Sequence, residues 1–363
     1  MRIRKSIHNI EPYEAGKSLD ELIREYGFSE KEVIKLASNE NPLGPPSKAV
    51  SAIKNFANLI NIYPDPNALG LREALSKHIK IPAKNIIVGS GSDEILDFIA
   101  KLFLETNDEV IIPIPTFSEY EIVTKIAGGK PIYVPLSNHF ELDDEKILEA
   151  VSNRTKLVFI ARPNNPTGRA FSTKKILRII KAVDAIVVLD EAYIEFDGKS
   201  LIELALKYNN LIVSRTFSKA YGLAGLRVGY ATASKEIIEP MFKIKPPFNI
   251  SLLAQKAAIA ALEDKKHLKK TIETAKHGRE YLITELSKIN GLKVFPSDAN
   301  FILVNTKNSG LTSTEVFNKL LQKGIVIRDC KGFRGLDNYH IRISVGTNKQ
   351  NQKLVEALRQ IKK

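Results

Sequence analysis

The sequence contains a single cysteine and no tryptophan. The scarcity of cysteine bears on two features, disulfides and cysteine-rich metal sites. With Cys330 alone, no disulfide can form within the chain, so we expect a reducing, cytosolic environment. Cysteine and histidine residues nowhere take the spacing of metal ligands, so no metal site is expected.

Long apolar runs are missing as well. No stretch reaches the ~18 apolar residues of a membrane span, so no membrane association is expected. The first residues, 1–6, lack the apolar segment of a signal peptide. The 363 residues suffice for one large and one small domain.

Positive charge is in excess, with 54 lysines and arginines against 41 aspartates and glutamates, a net charge of +13. The positive residues are spread along the chain, and their densest group, residues 265–270, fits the wet face of a helix. Net charge speaks to solubility and steering more than to a specific partner, so we expect anionic small molecules rather than nucleic acid.

Short apolar runs alternate with helical patterns over the first two thirds of the chain. The predicted strands are residues 86–88, 110–112, 131–134, 156–160, 185–189 and 211–213. The predicted helices are residues 18–26, 69–79, 95–104, 115–126, 143–151 and 173–182. This alternation predicts an α/β fold with a mostly parallel sheet covered by helices on both faces.

The pattern changes after residue 245. A long helix is predicted over 252–289, followed by strands at 301–304, 325–328 and 339–343 and helices at 313–323 and 349–361. These elements predict a smaller α+β domain. We therefore expect an N-terminal arm (1–35) joining the small domain, a large ligand-binding domain (36–245) and the small domain itself (246–363).

Polar residues follow four of the predicted strands at the point where each strand ends. They are Ser92 and Asp93, Asn165, Asp190 and Tyr193, and the group from Thr216 to Lys219. In open parallel sheets, ligands bind outside the carboxyl ends of the strands. The four strand ends therefore predict one shared ligand site.

The loop at residues 89–94, Gly-Ser-Gly-Ser-Asp-Glu, lies between a strand and a helix and is a candidate anion site. Glu94 stands where a dinucleotide motif has its third glycine, and no Gly-Lys-Ser/Thr follows. A nicotinamide enzyme using this loop is one alternative, but it leaves Lys219 unexplained.

Lys219 lies among Thr216, Ser218 and Arg227, which are residue types that bind phosphate. A lysine beside such a group indicates a Schiff base with a phosphorylated aldehyde, although a surface lysine is the ordinary alternative. Asp190 follows an apolar strand, and a buried carboxylate requires a cation such as a pyridinium N–H. Its ordinary alternative is a helix N-cap.

The remaining strand-end residues fit a cofactor with a pyridine ring and a phosphate. Asn165 and Tyr193 could donate to the ring's phenolic oxygen, and Phe117 could stack on the ring face. Ser92 and the backbone N–H groups of residues 92 and 93 would join Thr216, Ser218 and Arg227 around the phosphate.

Three segments carry a resemblance to a known family. Residues 164–168 (Asn-Asn-Pro-Thr-Gly), 190–193 (Asp-Glu-Ala-Tyr) and 218–229 (Ser-Lys-Ala-Tyr-Gly-Leu-Ala-Gly-Leu-Arg-Val-Gly) resemble the class II, fold-type-I pyridoxal-phosphate aminotransferases. The resemblance covers nearly the whole chain. Other segments resemble the histidinol-phosphate aminotransferase subgroup, namely residues 12–16, 38–44, 63–66, 327–329 and 341–346.

The resemblance implies a function and a set of residue roles. Lys219 would hold pyridoxal 5′-phosphate as a Schiff base and move the substrate proton, while Asp190 pairs with the ring nitrogen. Tyr63 would reach the cofactor phosphate of a partner subunit, which implies a homodimer with shared sites. The substrate-binding residues would be Tyr13, Asn39, Arg328 and Arg342. Histidinol phosphate and glutamate or 2-oxoglutarate would use one site by turns, with ping-pong kinetics, in histidine biosynthesis.

Two departures and several rival functions accompany this expectation. Phe117 stands where many relatives have tyrosine, and Arg162 stands where a small residue is commoner. An aromatic aminotransferase or an amino-acid-phosphate decarboxylase could use the same scaffold. A pyridoxal-dependent transcription regulator would need a DNA-binding domain, and the ~35 residues ahead of the fold are fewer than the ~50 of small domains.

Overall fold

The structure, a computed structural model, describes residues 5–8, 10–11, 19–29 and 32–361. Its helices are α1 (Lys5–His8), α2 (Leu19–Tyr26), α3 (Ser47–Phe56), α4 (Leu69–Ile79), α5 (Gly91–Phe103), α6 (Glu119–Ala127), α7 (Asp144–Glu149), α8 (Thr173–Ala182), α9 (Ile194–Asp197), α10 (Lys235–Ile244), α11 (Leu252–Leu262), α12 (Lys265–Leu286), α13 (Ser313–Leu321) and α14 (Asn348–Gln360). Its strands are β1 (Ile34–Lys35), β2 (Ile86–Gly89), β3 (Glu109–Ile114), β4 (Lys130–Pro135), β5 (Thr155–Ala161), β6 (Ile186–Asp190), β7 (Leu211–Thr216), β8 (Gly229–Thr232), β9 (Lys293–Val294), β10 (Phe301–Asn305), β11 (Ile325–Val326), β12 (Arg328–Asp329) and β13 (His340–Ser344).

A seven-stranded sheet forms the centre of the fold, in the order β2-β8-β7-β6-β5-β3-β4. All neighbouring pairs are parallel except the two made by β8, which runs antiparallel to β2 and β7. The predicted α/β fold with a mostly parallel sheet is confirmed. Strand β8 was not predicted, because it is short and begins at the end of a glycine-rich loop.

Both faces of the central sheet are buried, which explains why its strands are almost entirely apolar. On β6, Val187 and Leu189 pack with residues of α4, α8 and α11 on one face. Val188 packs with residues of α5, α6 and α10 on the other face. Alternate side chains of one strand therefore enter two different cores, and only the strand ends are left for polar groups.

The C-terminal elements form a second, antiparallel sheet in the order β12-β13-β10-β9, packed against α12, α13 and α14. The short strand β1 pairs in parallel with β11, so residues 34–35 attach to this part of the chain. Helix α11 packs instead against α3 and α4 beside the central sheet. The domain boundaries at 35 and 245 stay predictions.

Several predicted element boundaries were wrong. The strand predicted over 325–328 is two short strands, β11 and β12, which belong to different sheets. The single helix predicted over 252–289 is divided into α11 and α12, because the Asp264 carboxylate accepts a hydrogen bond from the His267 N–H and caps a new helix. Helix α5 begins at Gly91, so Ser92 and Asp93 lie in its first turn. Helix α6 begins at Glu119, because the hydroxyl of Thr116 donates to the Asn164 side chain and holds the preceding residues outside the helix.

The sequence predicts neither a membrane-spanning helix nor a metal site. Among the described residues, no helix is long and apolar enough to cross a membrane. The described part of the chain also has no group of three or more His, Cys, Asp or Glu side chains that could hold a metal ion. Cys330 is buried, and burial raises the pKa of its thiol to about 12.

Candidate active site

A cavity of about 320 Å³ lies at the carboxyl ends of the central strands. Thirteen of the residues selected from the sequence line it, namely Asn39, Ser92, Asp93, Phe117, Asn165, Asp190, Tyr193, Thr216, Ser218, Lys219, Arg227, Arg328 and Arg342. The central sheet brings most of these residues together from segments far apart in the chain. The C-terminal sheet adds Arg328 and Arg342, and the segment after β1 adds Asn39. The prediction of one shared site depended on this convergence.

Lys219 lies in the loop that follows β7, with its side chain partly exposed to the cavity. Its Nζ donates to the backbone carbonyl of Ser38 at 3.0 Å and lies 5.8 Å from the ring centre of Tyr193. Burial, and then the positive charge of Arg342, lower the pKa of the amine to about 8. A neutral amine, which is nucleophilic and basic, is therefore accessible close to neutral pH.

Asp190 ends β6, and its carboxylate is buried. One oxygen accepts from the Tyr120 hydroxyl at 2.7 Å, and the other accepts from the Ser214 hydroxyl at 3.2 Å and the Ala192 N–H at 3.1 Å. Burial raises the pKa of Asp190 to about 6, although the hydrogen bonds from Tyr120 and Ser214 oppose this rise. No described cation pairs with this carboxylate, which is thus available to a cationic or N–H group of a ligand.

The two hydroxyls that hold Asp190 were not selected from the sequence. Tyr120 is the second residue of α6, three residues after Phe117, and its ring is fully buried. Ser214 lies opposite Asp190 in the register of β6 and β7. A signal for Ser214 was present, because it alternates with Thr216 along one strand and so shares its face.

Arg227, Asp93, Ser218 and Thr216 form a polar cup beside Ser92 at the start of α5. Arg227 donates to Asp93 at 2.9 Å and to the Ser218 hydroxyl at 3.2 Å. The hydroxyls of Thr216 and Ser218 lie 2.9 Å apart. Hydroxyls, a guanidinium and the free N–H groups of a helix N-terminus are together suited to a phosphate.

Two glycines allow the groups of this cup to approach one another closely. Gly91 has φ +82°, and a Cβ there would lie 2.4 Å from Nη2 of Arg227. A Cβ on Gly229 would lie 2.4 Å from the backbone N of Ser92. A side chain at either position would displace the backbone or the guanidinium of the cup.

Glu94 has a structural role in the same loop. Its carboxylate accepts from the Ser90 N–H and from the Asn249 side chain, both at 2.6 Å. It therefore holds the turn between β2 and α5 at the position where a dinucleotide motif has its third glycine.

Tyr193 is held by a buried hydrogen-bond network. Its hydroxyl accepts from the Asn39 side chain at 3.0 Å. Asn39, which has φ +54°, is fixed by its N–H donating to the Ser344 hydroxyl at 2.8 Å and by that hydroxyl donating back to its side chain at 2.9 Å. Burial raises the pKa of Tyr193, so its hydroxyl keeps its proton and can donate to a ligand.

Arg342 lies on β13 and joins the two sheets at the cavity. Its guanidinium donates to the Asn165 side chain and to the backbone carbonyl of Ala37, and lies 5.3 Å from the ring centre of Phe301. The side chain is buried. A cation held in this way can present a fixed charge to an anionic substrate.

Arg328 and Phe117 lie between the cavity and a second one of about 590 Å³. The guanidinium of Arg328 lies 5.7 Å from the ring centre of Phe333. Phe117 meets Tyr120 edge to face, with ring centres 5.8 Å apart. Both side chains are partly exposed and so remain accessible to a ligand.

Two predicted residues are not part of the cavity as described. Tyr63 is 78% exposed and stacks on Phe248 at 4.5 Å, outside the cavity. Tyr13 lies outside the described residues.

Arg162, which had no assigned role, is a buried structural residue. Its guanidinium donates to the backbone carbonyl of Phe171 at 2.8 Å and to that of Lys199, and lies 3.4 Å from Asp197. It ties the strand-end loop after β5 to the segment after α9.

Comparisons with known proteins show the family to which this chain belongs. The sequence profile of the aminotransferase class I and II family matches residues 31–358. A histidinol-phosphate aminotransferase of Methanosarcina barkeri is 45% identical over 99% of this chain and 97% of its own. The crystal structure of the histidinol-phosphate aminotransferase of Sinorhizobium meliloti in complex with pyridoxal-5′-phosphate is 29% identical, with a TM-score of 0.89 over 99% of this chain and 97% of that one.

An L-threonine-O-3-phosphate decarboxylase of Porphyromonas gingivalis is also similar, with 28% identity and a TM-score of 0.81 over 90% of this chain and 98% of its own. Enzymes with different reactions thus share this fold, so the fold alone does not identify the reaction. The family profile, in contrast, matches most of the chain. On the strength of that match and the full-length relative, this chain belongs to the aminotransferase class I and II family.

Proposed function

We propose that the chain is a pyridoxal-phosphate-dependent histidinol-phosphate aminotransferase of histidine biosynthesis. It would exchange an amino group between histidinol phosphate and 2-oxoglutarate, giving imidazole acetol phosphate and glutamate. The observation that carries the proposal is one cavity holding Lys219, the buried Asp190, a phosphate cup and two arginines, in a chain 45% identical to a relative of that name.

The donor set of the cavity fits pyridoxal 5′-phosphate. Asp190 has no described cationic partner and suits a pyridinium N–H, which the bound cofactor uses to stabilise negative charge at the substrate Cα. Asn165 and Tyr193 would donate to the phenolic oxygen, and Phe117 would cover one ring face. The phosphate would be held by Ser92, Thr216, Ser218 and Arg227, with the backbone N–H groups of Ser92 and Asp93 at the start of α5.

Lys219 is suited to attach the cofactor and to move the substrate proton. As an amine with a pKa of about 8, it is increasingly neutral as the pH rises through 8. Neutral Nζ can accept the proton from the substrate Cα, and the ammonium so formed can return a proton. Asp190 is ionised above about pH 6, which is the form that pairs with a protonated ring nitrogen.

Arg342 and Arg328 would bind the substrate phosphate, and Asn39 would fix the wall beside them. Arginine suits this task because its planar guanidinium can bind a phosphate with two parallel hydrogen bonds. Glutamate and 2-oxoglutarate would meet the same arginines through their carboxylates. Since both substrates use one site by turns, ping-pong kinetics follow.

The active unit we propose is a homodimer with shared sites. The chain exposes a group of large apolar side chains, namely Leu59, Ile60, Ile62, Tyr63 and Phe248. Such a patch on a globular protein marks an interaction surface. Tyr63 belongs to this group, and the family resemblance implies that it reaches the cofactor phosphate of the partner subunit. A sedimentation mass of one chain, or a Tyr63→Phe variant whose cofactor affinity is unchanged rather than about tenfold weaker, would contradict the shared site.

The experiment that tests the function uses the cofactor-loaded protein and follows the visible absorption of the bound cofactor. Histidinol phosphate should convert this absorption to that of the amino form, and 2-oxoglutarate should restore it. A response to phenylalanine or tyrosine alone would support the aromatic aminotransferase. Release of carbon dioxide from an amino-acid phosphate, without amino transfer, would support the decarboxylase. A cytosolic location and the absence of nucleic-acid partners stay predictions.

A further inference from the structure

One carboxylate of the cavity has no assigned role. Glu119 is the first residue of α6 and lines the cavity between Phe117 and Tyr120. Its side chain makes no hydrogen bond or ion pair with any other residue that the structure describes. The remaining carboxylates of the cavity do have partners, because Asp93 binds Arg227 and Glu40 binds Lys35, both at 2.9 Å, while Asp190 accepts three hydrogen bonds.

The surroundings of Glu119 disfavour its charge. The side chain is partly buried, and the charges that act on it are those of the Asp93 and Asp97 carboxylates on α5. Burial first, and these two charges second, raise the pKa of Glu119 to about 7. A desolvated carboxylate without a partner is costly in a fold, and such groups concentrate at functional sites. Glu119 thus requires a hydrogen-bond donor that comes with a ligand.

The cavity's own cations are engaged elsewhere. Lys219 donates to the Ser38 carbonyl, Arg227 to Asp93, and Arg342 to Asn165 and the Ala37 carbonyl. Arg328, the fourth cation of the lining, lies over the ring of Phe333 and makes no described contact with Glu119. The donor for Glu119 must therefore come from the substrate. Histidinol phosphate, the substrate under the proposed function on which this inference rests, carries a phosphate, an amine and an imidazole ring.

Two of these three groups are unsuitable for Glu119. The phosphate would be repelled by a carboxylate and is matched by the arginines. The amine must react where Lys219 lies. The imidazole ring remains, and its N–H group is a neutral donor above its ordinary pKa of about 6.5.

We propose that Glu119 is a specificity-determining residue that accepts a hydrogen bond from the imidazole N–H of the substrate. A carboxylate acceptor at the ring end of the cavity separates histidinol phosphate from phosphates with purely apolar rings. A site built to bind an N–H group leaves its own polar group unpaired when the N–H is missing, so the wrong substrate is disfavoured strongly.

The test compares two substrates on each variant of the cofactor-loaded enzyme. One is histidinol phosphate, and the other is the analogue with a phenyl ring in place of the imidazole. Glu119→Met removes the acceptor and keeps a side chain of similar length. At a pH well above 7, it should lower kcat/KM for histidinol phosphate about 10- to 100-fold. It should raise kcat/KM for the phenyl analogue, because the carboxylate that a phenyl ring leaves unpaired is then absent.

Two further variants make the comparison specific. Glu119→Gln keeps an acceptor oxygen and loses the charge, so the substrate ratio should fall less than in Glu119→Met. Asp97→Asn removes a neighbouring carboxylate that does not line the cavity, and the ratio should stay unchanged. Calorimetric binding of histidinol phosphate to the amino form of the enzyme should weaken in parallel with kcat/KM, which a loss of turnover alone would not produce.

The outcomes separate this inference from the proposed function. If the wild-type enzyme does not accept histidinol phosphate, the proposed function fails. If it does, and Glu119→Met changes both substrates equally or neither, the role of Glu119 is overturned while the function stands. Partial misfolding lowers both rates in one preparation, so it does not alter their ratio.

Discussion

The hydrogen bond from Tyr120 to Asp190 can be removed with little other change. Tyr120→Phe deletes the hydroxyl and keeps the ring, which stacks on Phe159 at 4.8 Å and meets Phe117 edge to face. Asp190 would still accept one side-chain hydrogen bond, donated by the Ser214 hydroxyl. The variant therefore tests what one buried hydroxyl contributes to holding the carboxylate in its ionised form.

The expected change in the pKa of Asp190 follows from the geometry of this hydrogen bond. The O–H···O distance is 2.7 Å in a buried setting, and a hydrogen bond to a charged group contributes about 1.5–3 kcal/mol. Since one pKa unit corresponds to about 1.4 kcal/mol, the pKa of Asp190 should rise by about 1 to 2 units. It is about 6 in the wild-type protein, so the variant value should lie between about 7 and 8.

The sign of the pH effect follows directly. The ionised carboxylate is the form that pairs with a protonated ring nitrogen, and it is lost as the pH falls through the pKa of Asp190. Cofactor affinity should therefore fall below about pH 6 in the wild type and at a pH about 1 to 2 units higher in Tyr120→Phe. Equilibrium titration with pyridoxal 5′-phosphate over a pH series measures both midpoints.

A matched control is available in Tyr133→Phe, which removes a hydroxyl bonded to Glu121 beside the second cavity. Its pH profile should superpose on that of the wild type. If the Tyr120→Phe profile also superposes on the wild type, Tyr120 does not set the ionisation of Asp190 and the reasoning above is refuted.

Two other changes have expected results of known direction. Arg162→Met should destabilise the protein by about 3–5 kcal/mol in urea denaturation, because it leaves the buried Asp197 unpaired; a loss below ~1 kcal/mol would contradict this role. Gly91→Ala should weaken cofactor affinity at least about tenfold by displacing the guanidinium of the cup. The matched variant Gly225→Ala, whose Cβ would meet nothing within 4 Å, should bind the cofactor as the wild type does; equal affinities in both variants would count against the cup.

Sequence patterns predicted those features that depend on the residues of a single helix or strand. The apolar strands and the polar residues at their ends predicted the sheet and the convergence of Asn165, Asp190 and Lys219, because parallel strands end at one edge. The apolar strand predicted over 211–213, with polar residues after it, also placed Thr216 in the site. Helices α4 and α8 were predicted with the bounds that the structure has.

Individual side-chain contacts between segments distant in the chain were not predicted. Nothing in α6 alone indicates that Tyr120 faces Asp190, which lies 70 residues further along the chain. The buried position of Arg162 depends on a carbonyl 37 residues away. Glu119 was missed for the same reason, since the sequence does not say which residue of a helix start faces a cavity.

The most direct test of the account is to identify the lysine that holds the cofactor. The protein loaded with pyridoxal 5′-phosphate is reduced with borohydride, digested and mapped by mass spectrometry. The account predicts the added cofactor mass on Lys219, with none on the other lysines, and no stable adduct in Lys219→Ala. A cofactor mass on a different lysine, or no adduct at all in the wild type, would contradict the site built around Lys219.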